Sequence, residues 1–331
     1  MKKRIMQIVA LLLICVLAFC GCKKSDTKSE NSNLSDEDTE EEIDTRHKIG
    51  FSAIDMENPY FITLKNAVLE ILDEEKYALI TKDPGSDPEL QNEQIEEMIE
   101  EGIEVIFLCP VNWETISESL VKLKEADVKI INVDTQVKDI EYVDAYIGSD
   151  NERAGYICGE DLIQQRPDGG NVLILECPTQ NSINDRIMGF EKALSSADVG
   201  FEVVDRADTN GEFDKALDIT RNMLENHPEI NVIMCGNDQI AVGATTAANL
   251  AERKDIIIYG VDGSPDIKKE LVKADTLIAG TAAQSPINMG KEAARIAIAM
   301  IKDKEYEKET YMDVFMINSK NVEMYGVDGW Q

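Results

Sequence analysis

The sequence predicts an α/β protein built as two similar doubly wound parallel-sheet lobes with a ligand cleft between them. Three observations lead there. From residue 48 onward, short apolar runs alternate with amphipathic segments of helical length, the pattern of βαβ units in a parallel sheet. The pattern restarts after Ser149-Asp150-Asn151, so two βα series of similar size follow one another. Asn, Asp, Gln and Arg recur where strands end, the side on which open α/β sheets take ligands.

In chain order, residues 1–22 place Lys2, Lys3 and Arg4 ahead of an apolar run over 8–19, too short for a comfortable membrane span. They end in Gly21-Cys22 and resemble a bacterial lipoprotein signal, in which Cys22 becomes the lipidated N-terminus. Phe19 departs from the Leu usual three positions before that cysteine. The alternative is an uncleaved N-terminal anchor, which changes the tether and not the compartment. Residues 23–46 are rich in Ser, Asp and Glu and almost free of apolar side chains, so they read as an acidic flexible tether. The folded body is therefore expected in the cell envelope, extracytoplasmic and lipid-anchored to the membrane.

The first series has apolar runs at IGFSAI, YALITK, VIFLCP, KIINVD and AYIGSD, with helical patterns such as NEQIEEMIEEG and ISESLVKLKEAD between them. It opens with residues 49–61, IGFSAIDMENPYF, a short strand pattern, a polar loop and a Pro-containing helix start. The second series, after Pro167-Asp168-Gly169-Gly170, runs through NVLILEC, FEVVDRAD, NVIMCGND, DIIIYGVDG and TLIAGTAAQ. No strong residue-level repeat links the two.

Composition narrows the function. With the first ~45 residues set aside, a 331-residue chain that is 43% hydrophobic suffices for one large or two medium domains. A formal net charge of −31 argues against nucleic acid, or an anionic membrane surface, as a partner bound through charge. None of the seven cysteines forms a CxxC pair, so metal ligation is not expected, and the four beyond residue 100 read as small buried side chains, with one disulfide as the open alternative. Two histidines, His47 and His227, leave little for nucleophile–base catalysis. No cofactor and no catalysed reaction are expected.

Several motifs stand in order: Asn58-Pro59-Tyr60-Phe61, Asn132-Val133-Asp134, Gly148-Ser149-Asp150-Asn151, Arg186-Ile187-Met188-Gly189-Phe190, Cys235-Gly236-Asn237-Asp238, Gly260-Val261-Asp262-Gly263 and Ala283-Gln284-Ser285-Pro286. Their order and spacing make the chain resemble periplasmic-type sugar-binding proteins of the ribose/galactose-binding family. The resemblance implies two lobes joined by three hinge crossovers, with residues 47–150 plus 285–312 as the N-terminal lobe and 151–284 plus 313–331 as the C-terminal lobe. It further implies a monomer that closes on a monosaccharide or polyol and delivers it to an ABC permease. The ligand-binding residues implied are Asn58, Tyr60, Phe61, Cys109, Asp134, Thr135, Arg186, Asn210, Asn237, Asp262 and Gln284.

Hydroxyl chemistry supports that residue set. Neighbouring sugar hydroxyls donate and accept, so planar amides, carboxylates and guanidinium suit them, and Tyr60 and Phe61 suit the apolar faces of a ring. Simpler roles compete: Asn58 as a helix cap, Tyr60 or Phe61 as core, Asp134 and Asp262 as turn residues, Arg186 in a surface ion pair with Asp185. In Asn237-Asp238, Asp238 is expected to cap and Asn237 to reach ligand. Two departures stand out: ribose-type relatives often carry Arg where this chain has Thr135, and tend to carry Asn in place of Cys109. Asn112 or Trp113 is the candidate replacement, and Asn210 is taken as the contact from a loop that is longer than the ribose-type pattern. Rival functions are a sensory protein presenting a sugar or signalling molecule to a membrane kinase or chemoreceptor, a repressor, and a glycosidase using Asp134 and Asp262.

Overall fold

The computed structural model describes residues 44–331. The expected signal segment with Cys22, and the expected tether up to residue 43, lie outside the described residues. The first series forms β1 (His47–Ser52), α1 (Pro59–Leu69), β2 (Tyr77–Lys82), α2 (Pro88–Glu100), β3 (Val105–Leu108), α3 (Ser117–Glu125), β4 (Lys129–Val133) and β5 (Ala145–Ser149). The second forms α4 (Asn151–Gln165), β6 (Gly170–Glu176), α5 (Asn181–Ser195), β7 (Phe201–Asp208), α6 (Phe213–Asn226), β8 (Val232–Cys235), α7 (Asp238–Leu250), β9 (Ile257–Asp262), α8 (Pro265–Leu271) and β10 (Ile278–Ala283). The chain closes with α9 (Pro286–Ile301), β11 (Glu309–Met312), β12 (Phe315–Ile317) and the short α10 (Val322–Tyr325).

Helix starts follow local chemistry. Asn58, Asp87, Ser264 and Ser285 each accept a backbone N–H of the first turn and each precedes a proline. A short polar side chain satisfies a donor the helix cannot, and proline at the first position gives up only an N–H that would be unpaired anyway.

The strands make two six-stranded sheets, ordered β11-β5-β4-β3-β1-β2 and β12-β10-β9-β8-β6-β7. Apart from the edge strands contributed by the tail, both follow the same order: second strand, first, third, fourth, fifth. All pairings are parallel except β12 against β10. Burial alternates with the pleat. Val105 and Phe107 of β3 enter the core shared with Leu64 and Val68 of α1, whereas Ile106 and Leu108 face Ile95 of α2 and Leu120 of α3. Two covered faces explain why VIFL is a continuous apolar run, and each such buried side chain contributes roughly 1.5–3 kcal/mol.

The chain passes between the lobes at residues 149–151, 283–286 and 312–315. There β5 leads into α4, β10 leads into α9, and β11, paired to β5, leads into β12, paired to β10. Met289, Ala293 and Ala297 of α9 join the first-lobe core with α1. Trp330 packs against that same first-lobe core although β12 and Val322 belong with the second lobe, so the tail touches both.

Candidate functional site

Strand order dictates where a crevice opens. In each sheet the order reverses between the first and third strands, β1/β3 and β6/β8, and loops leaving the carboxyl ends there diverge to opposite faces. A cavity of about 350 Å³ lies between the lobes at these ends, toward the small end of the ~300–1,000 Å³ typical of ligand pockets.

The first-lobe wall comes from the loop after β1 and the first turn of α1. Asn58 caps α1 by accepting the Tyr60 N–H at 3.0 Å, and it also lines the cavity. The competing roles of cap and wall residue therefore coincide in one side chain. Tyr60 and Phe61 are 4% and 5% exposed and meet edge to face at 5.4 Å, and Trp330 packs edge-on to Tyr60 at 5.7 Å. The Tyr60 hydroxyl donates to Asp134 Oδ1 at 3.1 Å. Burial, and then the Asp134 charge, hold that phenol well above its ordinary pKa, so it stays a donor.

Asp134 follows β4 with φ +61°, a left-handed conformation that Asp tolerates better than most residues. The Tyr146 hydroxyl donates to its carbonyl at 2.9 Å. Its Oδ2 faces the Cys109 thiol at 3.8 Å and the Thr135 hydroxyl at 3.4 Å.

The second-lobe wall centres on Arg186. Helices α4 and α5 approach so closely that a Cβ on Gly155 would lie 1.7 Å from the Arg186 carbonyl, and one on Gly189 would lie 1.9 Å from the Glu152 carbonyl. That contact puts the guanidinium under the carboxyl ends of β8 and β9. Nε donates to Asn151 Oδ1 at 2.8 Å and Nη1 donates to the Gly236 carbonyl at 2.9 Å, with Asp262 Oδ1 at 3.6 Å. At 3% exposure this is no surface ion pair.

Asp262 ends β9 with φ +142°, a strained backbone for a non-glycine residue, and strain of this kind tends to collect at functional sites. Gln284 Nε2 donates to its Oδ1 at 2.8 Å, while Gln284 Oε1 is buried without a partner. Burial pushes the Asp262 carboxyl well up; Arg186 opposes the shift and Asp238 adds to it. Burial raises Asp238 as well, but less, because the Ser264 N–H at 2.7 Å and the Thr281 hydroxyl at 2.8 Å stabilise its charged form. Of the two carboxyls, Asp262 holds a proton more readily.

Asn58, Tyr60, Phe61, Asp134, Arg186, Asn210, Asn237 and Asp262 thus line one cavity. Cys109, Thr135 and Gln284 do not line it; each stands behind a residue that does. Cys109 and Thr135 support Asp134, Gln284 supports Asp262, and Thr135 Oγ1 also meets Ser182 Oγ across the lobes at 2.7 Å. Asn112 and Trp113 are likewise outside the lining, and the Trp113 N–H crosses to the Thr179 carbonyl at 3.1 Å. In Asn237-Asp238 only the cap is corrected: Asn237 Oδ1 accepts the Ile240 N–H at 2.8 Å and caps α7 while Asn237 also lines the cavity, whereas Asp238 is 1% exposed and braces the strand ends. Asn210, at φ +54°, bonds Glu212 through its Nδ2.

The lining also contains Gln180, Ser182 and Phe213, which the sequence reading missed. Their signals were present. Gln180 and Ser182 lie just past the β6 end, and Phe213 opens α6 as Tyr60 and Phe61 open α1. The four described cysteines, Cys109, Cys158, Cys177 and Cys235, are buried and free. His47 and His227 pair with Glu104 and with Asp205 and Glu229 away from the cavity.

Two α/β lobes of matching strand order, enclosing a polar cavity at the carboxyl ends of both sheets, define a type 1 solute-binding architecture. The model of the periplasmic binding protein domain family matches residues 49–305, and the chain belongs to that family. It is 25% identical over 265 residues to the ribose import binding protein RbsB of Escherichia coli (strain K12), covering 79% of this chain and 87% of that protein. To RbsB of Bacillus subtilis (strain 168) it is 26% identical over 310 residues, 93% of this chain and 96% of the relative. Among solved structures, a galactofuranose binding protein superposes with a TM-score of 0.78 at 20% identity, over 84% of this chain and 96% of the other. An ABC transporter periplasmic solute binding protein from Actinobacillus succinogenes 130z with bound D-allose gives 0.76 at 25% identity, over 85% and 100%.

Proposed function

We propose that the protein is the extracytoplasmic solute-binding lipoprotein of an ABC importer, taking a monosaccharide or related polyol into the cleft by hinge closure. The observation that carries this reading is the composition of the cavity wall. Asn58, Asp134, Arg186 and Asp262 present acceptors and donors from both lobes, and Tyr60, Phe61 and Phe213 supply aromatic surface beside them. A polyol bridging the walls bonds both lobes at once, which favours the closed arrangement over the open one. Buried polar groups left unpaired by a wrong ligand supply selectivity. No bond is made or broken; the ligand leaves as it arrived. The relatives named above bear sugar-import names, which supports the transport reading, and Cys22 is the proposed lipid attachment.

The test is a thermal-shift screen against pentoses, hexoses and polyols, with amino acids and nucleosides as controls. A ligand that binds the native state alone raises the midpoint by mass action, about 2.7 kcal/mol at a hundred times Kd. A shift with a sugar or polyol supports the reading; a shift with a nucleoside or amino acid alone overturns the ligand class. Mass spectrometry of the mature N-terminus showing Cys22 without a lipid adduct would refute the lipid attachment. A sensing role uses the same cleft, and the fold is shared with the fructose binding periplasmic domain of hybrid two component system BT1754, TM-score 0.79 at 23% identity.

A further inference from the structure

The cavity wall is electrically lopsided. Among the described residues, Asp55, Glu57, Asp134, Glu212 and Asp214 line it beside Asp262, whose neutral form burial favours; Lys215 reaches Glu212 at 3.4 Å from outside the lining, and Arg186 is the one cation in it. That guanidinium is already committed to Asn151, Gly236 and Asp262.

Asp134 is the telling residue. It is 5% exposed, and among the described residues no Lys, Arg or His is paired with its carboxylate. Its oxygens face three neutral donors, the Tyr60 and Thr135 hydroxyls and the Cys109 thiol. Asp134 therefore has donors within the protein and no compensating charge. Burying a carboxylate without a counter-charge is costly, and neutral hydrogen bonds offset only part of that cost. A further ligand hydroxyl would add one more neutral donor. An ammonium group would add the missing charge.

We infer that the ligand is an amine-bearing sugar, with its ammonium on the Asp134 side of the cavity and its hydroxyls toward Arg186 and Asp262. The inference rests on the sugar-binding reading and narrows it. Sugar phosphates and uronic acids are disfavoured by the same field. The lining carboxylates Asp55 and Glu57 on one lobe and Asp214 on the other attract a cation to the cavity.

The experiment is calorimetric titration of the purified chain with D-glucosamine, D-galactosamine and D-mannosamine and with their neutral parent hexoses. It is run at about pH 6, below the range of a free α-amino group, so the amines are charged. At least one amino sugar is expected to bind roughly tenfold or more tighter than its parent, as close charge pairs across an interface do. In Asp134→Asn, which keeps a side chain tolerant of positive φ, that ratio should fall to near unity. A parent hexose binding as well as its amino form overturns the amine and leaves the sugar reading standing. An unchanged ratio in Asp134→Asn overturns the role of Asp134. No binding by any amino or neutral sugar overturns both. The wild-type ratio decides the ligand's charge even if the variant fails to fold.

Discussion

Removing the Arg186 side chain is the sharpest perturbation, because the guanidinium serves fold and cavity together. In Arg186→Ala, Asn151 Oδ1 and the Gly236 carbonyl lose donors at 2.8 and 2.9 Å, and a buried acceptor left unpaired costs ~1–3 kcal/mol. Asp262 loses its cation at 3.6 Å, but burial already favours its neutral form, so protonation limits the damage. With Asp262 neutral, the two unpaired acceptors on Asn151 and Gly236 put the total at about 2–6 kcal/mol. That lowers the melting midpoint by on the order of 10 °C. The assay is urea unfolding at about pH 9, above the Asp262 value of about 8, with Arg186→Ala, Asp262→Asn and the double variant. Asparagine has no charge to strand, so the double variant should be less destabilised than the sum of the singles by about 1–2 kcal/mol. Additivity within ~0.5 kcal/mol would mean that the two side chains do not share a charge interaction, and would refute the argument.

Three further outcomes follow from the same geometry. Gly155→Ala drives a Cβ into the Arg186 carbonyl and should cost about 2–3 kcal/mol, with a loss of ligand affinity beyond that of a remote variant equally destabilised; a neutral effect would refute the close approach. The raised folded-state pKa of the Asp238/Asp262 pair means the native state binds its proton more tightly than the unfolded chain. Stability from this pair is therefore greatest in acid and declines as pH rises from about 4, the unfolded-state carboxyl value, to about 8; Asp262→Asn should flatten that limb of a midpoint-versus-pH curve. Thr135→Val removes the 2.7 Å contact with Ser182 across the lobes, worth ~0.5–1.5 kcal/mol, and should shift the population toward open forms by roughly two- to tenfold. A larger radius of gyration by small-angle scattering checks it, and an unchanged radius would contradict it.

The lobes and their strand–helix order were legible in the sequence because parallel strands buried on both faces must be apolar throughout, and VIFL or IGFSAI between amphipathic segments says so locally. The helix starts were legible for the same reason: Asn58-Pro59 and Ser285-Pro286 carry their capping chemistry in two adjacent residues. Asn237 shows the limit. Either member of Asn237-Asp238 could cap, and the choice was made by Ser264 and Thr281, which hold Asp238 from another turn and another strand. Phe213 and Ser182 escaped notice because an aromatic opening a helix and a serine in its first turn are ordinary residues until a second lobe faces them.

Residue order alone determined that two doubly wound lobes form and that polar side chains gather at their strand ends, since hydrophobic periodicity and capping act over a few residues. Only the tertiary structure decided which of those side chains reach the cavity and which stand behind it. Cys109, Thr135 and Gln284 sit beside cavity residues in sequence or register, yet each turns its polar atom to an aspartate and not to the open space. Whether a side chain lines a cleft depends on groups far apart in sequence, such as Asn58 and Asp262, and on packing between separate helices, such as Gly155 against Arg186, which no local pattern encodes.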